Sequence, residues 1–82
     1  MKICIDERTY EGSGEEIMDQ LRQQTFDPTE YPDTESYIYQ LRSNFIRATD
    51  LDCPLPESGV ERQARTMFAH LAKAGALTIL EA

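Results

Sequence analysis

The segment that most restricts the fold is Leu77-Thr78-Ile79-Leu80, near the end of the chain. Its apolar and β-branched residues have the character of a strand. Gly75 separates it from the helical pattern before it, and no neighbouring run can pair with it. A buried backbone without hydrogen-bond partners is costly. The segment must therefore return to strands made elsewhere, and the other strand-like sequence stands at the N-terminus.

There, Ile3 and Ile5 alternate with Lys2, Cys4 and Asp6, the period-2 pattern of a strand with one buried face. Asp6-Glu7 breaks the apolar run, and Arg8-Thr9-Tyr10 resumes strand character. A tight hairpin turning near Asp6-Glu7 accounts for both. Two strands alone are marginal in water. Adding the C-terminal strand makes a three-stranded antiparallel sheet, with the first strand in the centre because both others pair with it.

Three helical patterns lie between. Ser13 followed by Glu16 is a capping box, and Ile17, Met18, Leu21 and Thr25 follow at helical spacing. Pro28 disfavours helical geometry at Asp27, so this helix should stop near Phe26. Asp33 or Thr34 caps a second helix whose inner face is Tyr37, Ile38, Leu41, Phe45 and Ala48, ending around Thr49–Asp50. Ser58 and Glu61 repeat the capping-box spacing before the strongest apolar stripe, Val60, Ala64, Met67, Phe68, Leu71 and Ala72. Lys73 in the last turn and Gly75 just beyond it supply the stop. The order is ββαααβ: an α+β fold with an N-terminal β-hairpin, three helices and a C-terminal strand, its small three-stranded sheet packed on the helices. The 82 residues suffice for one domain, 1–82, with a thin core and a radius of gyration of about 12 Å.

Catalytic chemistry finds little support. The single histidine, His70, lies roughly 100° around the helix from the apolar stripe, the position of a boundary residue rather than a poised base. Cys4 and Cys53 are too few for a disulfide framework, which implies free thiols and a cytoplasmic protein. With His70 and a carboxylate they would make one tetrahedral ligand set, but no two of them are closely spaced. Cys4 reads as a small strand residue and Cys53 as a loop thiol. Asp50 and Asp52 resemble the start of a calcium loop without its glycine and terminal glutamate. Gly12-Ser13-Gly14 precedes a helix, yet no lysine follows and Glu15, Glu16 and Asp19 would repel a phosphate. The expectation is a non-enzymatic protein with no cofactor and no metal. No apolar run is long enough to span a membrane.

Charge is the anomaly. The chain carries 15 acids against 8 bases, a net −7, which opposes direct binding of nucleic acid. Residues 1–35 hold ten of those acids and three of the bases, while residues 36–82 hold five of each. The whole surplus belongs to the first segment. Helix first turns account for Glu15, Glu16, Asp33 and Glu35, and a turn for Asp6 and Glu7. Glu11, Asp19, Asp27 and Glu30 have no local reason in the sequence. A solvated acidic surface aids solubility; it is also what a basic partner would bind.

Glu15 and Asp19 stand one helical turn apart, about 6 Å along the axis, and the proline-bearing connector adds Asp27 and Glu30. Tyr10, Tyr31, Tyr37 and Tyr39 lie in or beside this segment, and tyrosine is enriched at interfaces. The expected binding residues are Glu11, Glu15, Asp19, Asp27, Glu30, Tyr31 and Tyr39. Rigidly held carboxylates can occupy a groove built for nucleic-acid phosphate, steered there by long-range attraction. Small acidic inhibitors of DNA-binding enzymes, phage anti-restriction and anti-CRISPR proteins among them, offer an analogy of size and charge. The expected partner is thus a basic, nucleic-acid-binding protein. The alternative is a homodimeric structural or regulatory protein, paired through Tyr39 and Ile46 on the second helix or through an open sheet edge.

Overall fold

The computed structural model describes residues 1–25 and 30–82. Strands β1 (Lys2–Ile5) and β2 (Arg8–Glu11) form the hairpin; helices α1 (Gly14–Gln23), α2 (Thr34–Thr49) and α3 (Val60–Lys73) follow, and β3 (Thr78–Glu81) closes the chain. The sheet order is β2-β1-β3 and both pairings are antiparallel. This is the expected ββαααβ arrangement with β1 central. The Cα radius of gyration is 11.8 Å, as expected for this length.

Side-chain alternation fixes the face. Ile3 stands opposite Tyr10 on β2 and Ile79 on β3, and this row points at the helices. Cys4, opposite Thr9 and Thr78, lies in the alternate row. The register of β3 shifts between Lys2 and Ile3, where Leu80 is the extra residue. Such a bulge twists an edge strand and discourages further pairing. The hairpin turn places Asp6 at φ 48° and Glu7 at φ 71°. Two positive angles are what a two-residue hairpin turn needs, and neither residue is the glycine or asparagine that adopts them readily.

The core joins Ile3 and Tyr10 to Ile17 and Met18 of α1, Ile38 and Phe45 of α2, Ala64, Met67 and Phe68 of α3, and Cys53 and Leu77. Phe68 is the largest fully buried side chain. α3 ends as the glycine foretells: the Gly75 N–H donates to the Ala72 carbonyl and the Ala76 N–H to that of Leu71, the paired bonds of a Schellman stop, with Gly75 at φ 84°.

Three local expectations need correction. α1 ends at Gln23, short of Phe26, and the Thr25 N–H and hydroxyl both return to the Arg22 carbonyl. On α2, Ala48 is exposed while Ile46 packs against the core. α2 touches both α1 and α3, which widens its buried face around the helix toward Ile46. Cys53 is a loop thiol as expected, and it is fully buried. The third correction is the cap of α3. Its N-cap is Gly59, with no side-chain hydrogen bond, so Ser58 and Glu61 do not form a capping box.

Two stability outcomes follow. Phe68→Ala leaves a cavity in a thin core and should cost about 3–5 kcal/mol, readable as the loss of most of the cooperative thermal transition. Glu7→Gly removes a side chain from left-handed backbone and should raise stability by about 1 kcal/mol. An unchanged or lower melting temperature for Glu7→Gly would count against the turn described.

Candidate functional site

The acidic surface starts at the N-terminus of α1. A helix leaves its first N–H groups without internal partners. Here they are met from two directions. Ser13 Oγ accepts from the Glu16 N–H at 3.1 Å, and the Glu16 carboxylate accepts from the Ser13 N–H at 2.9 Å, the foreseen capping box. Glu61, on α3, accepts from the Gly14 N–H and the Glu15 N–H, both at 2.8 Å. Arg65, one turn further along α3, pairs with the same carboxylate. Gly14 allows this approach: a Cβ there would sit 3.0 Å from Glu61 Oε2, 3.1 Å from the Arg65 side chain and 3.3 Å from the Ala64 methyl.

Glu61 thus caps a different helix from the one that carries it. Partial burial works to raise its pKa; the Glu15 N–H, the Arg65 guanidinium and the Gly14 N–H outweigh that and hold the carboxyl below its ordinary range. The Ser13 backbone N–H, then its hydroxyl, hold Glu16 low as well, although Glu61 repels it. The positive end of α1 gathers carboxylates that would otherwise disperse.

The other end of α1 is neutralised. Asp19 Oδ1 accepts from Arg22 Nε at 3.1 Å and Nη2 at 2.8 Å, and Oδ2 accepts from Gln23 at 2.8 Å. The Arg22 bond is the main reason the Asp19 carboxyl lies below its ordinary range. Thr34 also approaches Asp19 at 3.4 Å, and Arg22 Nη1 donates to the Tyr31 carbonyl at 2.9 Å. Arg22 therefore ties α1 to the start of α2. Asp19, expected as a free charge, is a fastening with a local ion pair.

The remaining expected residues separate. Glu11 and Glu15 flank the turn from β2 into α1, and both are exposed. Glu30 is exposed beside Tyr31, whose ring meets Tyr37 edge-on at 5.4 Å. Asp33 caps α2 by accepting from the Ser36 N–H at 2.8 Å. Tyr39 stands apart from the acidic group: it lies on α2 against α3, its hydroxyl 3.5 Å from Gln63 Nε2. Asp27 lies outside the described residues.

The groups considered for catalysis hold the loop between α2 and α3. His70 Nε2 lies 3.0 Å from the Pro54 carbonyl, an oxygen that can only accept, so this nitrogen carries the proton. Arg42 Nε donates to the Cys53 carbonyl at 2.7 Å, and Gln63 Nε2 to that of Pro56 at 3.0 Å. The Cys53 thiol contacts Met67 Sδ at 3.7 Å, and burial pushes its pKa up. No group of three or more His, Cys, Asp or Glu side chains gathers as a metal site among the described residues.

Against known proteins, the chain matches no family description, no curated relative and no solved structure.

The sign of the acid response follows from the cap. Carboxyls held low in the folded state contribute stability that is present above the unfolded value, roughly pH 4, and is lost as pH falls through the folded value. Glu61→Gln should melt earlier than the wild type at neutral pH, by about 1–2 kcal/mol. It should also lose less on acidification, having one fewer proton to take up. Thermal melts between neutral and strongly acidic pH test this, and identical acid slopes would contradict the role of Glu61.

Proposed function

We propose that the chain is a non-enzymatic binding module that docks its acidic residues 1–35 on a basic, nucleic-acid-binding protein and so blocks or modulates it. One observation supports this reading most. Among the described residues, the carboxylates of Glu11, Glu15 and Glu35 accept no hydrogen bond and have no base within ion-pair distance. Glu16, Asp19, Asp33 and Glu61 bond within the fold; Glu15 and Glu35 favour it only through the dipoles of the helices they begin. Exposed Glu30 adds a fourth charge in the segment before α2. The Asp19–Thr34 and Arg22–Tyr31 contacts join the outer side of α1 to that region, so the free carboxylates sit on elements fastened to each other. The backbone that carries them is fixed, so a partner meets them in a set arrangement where it expects phosphate. No helix among the described residues is long and apolar enough to cross a membrane, and the proposed setting is the cytoplasm.

Pairing of two copies through α2 is less favoured. Ile46 packs on the core, Arg42 holds the Cys53 carbonyl and the Tyr39 hydroxyl meets Gln63. All three have internal roles.

The test reverses charges that form no hydrogen bond or ion pair among the described residues, with the fold of each variant checked by circular dichroism. Glu11→Lys, Glu15→Lys and Glu30→Lys are combined in one protein, with Glu57→Lys, an exposed acid outside the segment, as control. Partners captured from lysate at low salt are identified, and their affinity is measured across salt concentrations. Each charge alone should contribute up to about 1 kcal/mol. Together, reversal should slow association and flatten its salt dependence, and the control should do neither. An unchanged salt slope in the triple variant would refute the acidic docking surface.

A further inference from the structure

The C-terminal ends of α2 and α3 enclose a cleft of ≈ 380 Å³ lined by Phe45, Leu51, Asp52, His70, Lys73 and Ala74. Three features mark it. Leu51 stands at its rim with 56% of its surface exposed, the most exposed of the large hydrophobic residues. Asp52 and Lys73 both line it, yet they form no ion pair with each other. Every lining residue comes from the half of the chain whose acids and bases balance, and none from the acidic first 35 residues.

We propose that this cleft is a self-docking surface, in which Leu51 of one copy enters the cleft of a second copy and Asp52 of each faces Lys73 of the other. A two-fold contact must be self-complementary: what one copy projects, the other must receive. An apolar knob beside an apolar hollow, with one acid and one base on the same rim, meets that condition. Charge distribution selects the occupant. Two copies that met through residues 1–35 would bring two surfaces of net −7 together, whereas the cleft half adds no net charge.

Sedimentation equilibrium of the purified protein from micromolar to millimolar concentration tests this without any partner, so its outcome is independent of the acidic docking reading. The wild type should pass from monomer to dimer. Leu51→Asp, at an exposed position, should keep its circular dichroism and weaken association by about ten-fold or more. Asp52→Lys and Lys73→Asp should each weaken it, and an equimolar mixture of the two should recover it, since the mixed pair restores both opposite-charge contacts. A wild type that stays monomeric throughout overturns the proposal. So does association that survives Leu51→Asp, or a mixture no tighter than either variant alone.

Discussion

The carboxylate of Glu61 holds the arrangement of helices together. It comes from the first turn of α3 and accepts the Gly14 and Glu15 N–H groups of α1, at a sequence separation of 47 and 46 residues. With Ser13 bonded to the Glu16 N–H and the Ile17 N–H bonded to the Ser13 carbonyl, every amide of the first turn has an acceptor. The bond sets position as well as stability. It draws α1 so close to α3 that a side chain at residue 14 would meet Ala64 and Arg65. It also decides where negative charge collects. Three carboxylates, Glu15, Glu16 and Glu61, stand around one helix N-terminus, where the peptide dipoles offset part of their repulsion. Arg65 compensates only Glu61, so the acidic character of this end persists.

The connection from α2 to α3 meets a different constraint. Phe45 approaches His70 near the C-terminal ends, and Tyr39 approaches Gln63 near the other ends. The helices therefore run in the same direction, and residues 50–59 must travel back along them. An extended return segment lying on a core has backbone groups to satisfy. Pro54 and Pro56 reduce the demand by having no N–H. The carbonyls of Cys53, Pro54 and Pro56 are met by Arg42, His70 and Gln63 in turn. This gives a reason for a fully buried glutamine. The Gln63 amide is oriented by the Pro56 carbonyl, which can only accept, and its Oε1 is left without a partner. One unmet acceptor costs about 1–3 kcal/mol, which the burial of Met67 and Phe68 on the same helix offsets.

Features governed by local chemistry were legible in the sequence, and those governed by distant partners were not. The alternation of Ile3 and Ile5, the Ser13–Glu16 box, the Gly75 stop and the need of the last strand for β1 depend on few residues or on a single missing partner. Ser58 and Glu61 had the same spacing as Ser13 and Glu16. What separated them was Gly59, at φ 90°, and a competing set of amides on α1, which no spacing rule can see. Asp19 is a different case. Arg22 stands three residues on, a spacing at which helical side chains meet, and it was enough to suggest a pair rather than a free acid. The boundary position of His70 on the α3 stripe is visible in the periodicity, but its partner, the Pro54 carbonyl, is not. Gln63 carried no signal, because a glutamine between Arg62 and Ala64 reads as surface.

The separation of structural from unused charge bears on what the acidic segment does. Stability alone would favour fewer like charges in a protein this small, since self-repulsion opposes the compact state. The fold uses Glu16 and Asp33 as caps, Asp19 as a fastening and Glu61 as a bridge between helices. Replacing Glu11, Glu15 or Glu35 would remove no hydrogen bond or ion pair among the described residues. Solubility needs net charge but not its confinement to one segment, and the balanced second half shows that the composition did not force it. Residues 1–35 carry a net −7, while the cleft between α2 and α3 is lined by one acid and one base, Asp52 and Lys73. A directional field gives a small protein a preferred orientation toward a basic surface before contact. The cleft takes none of its lining from residues 1–35, which leaves it available for the proposed apolar contact with a second copy. A dimer formed there would present two acidic faces, and a partner with two basic sites within reach would then bind more tightly than either face alone allows.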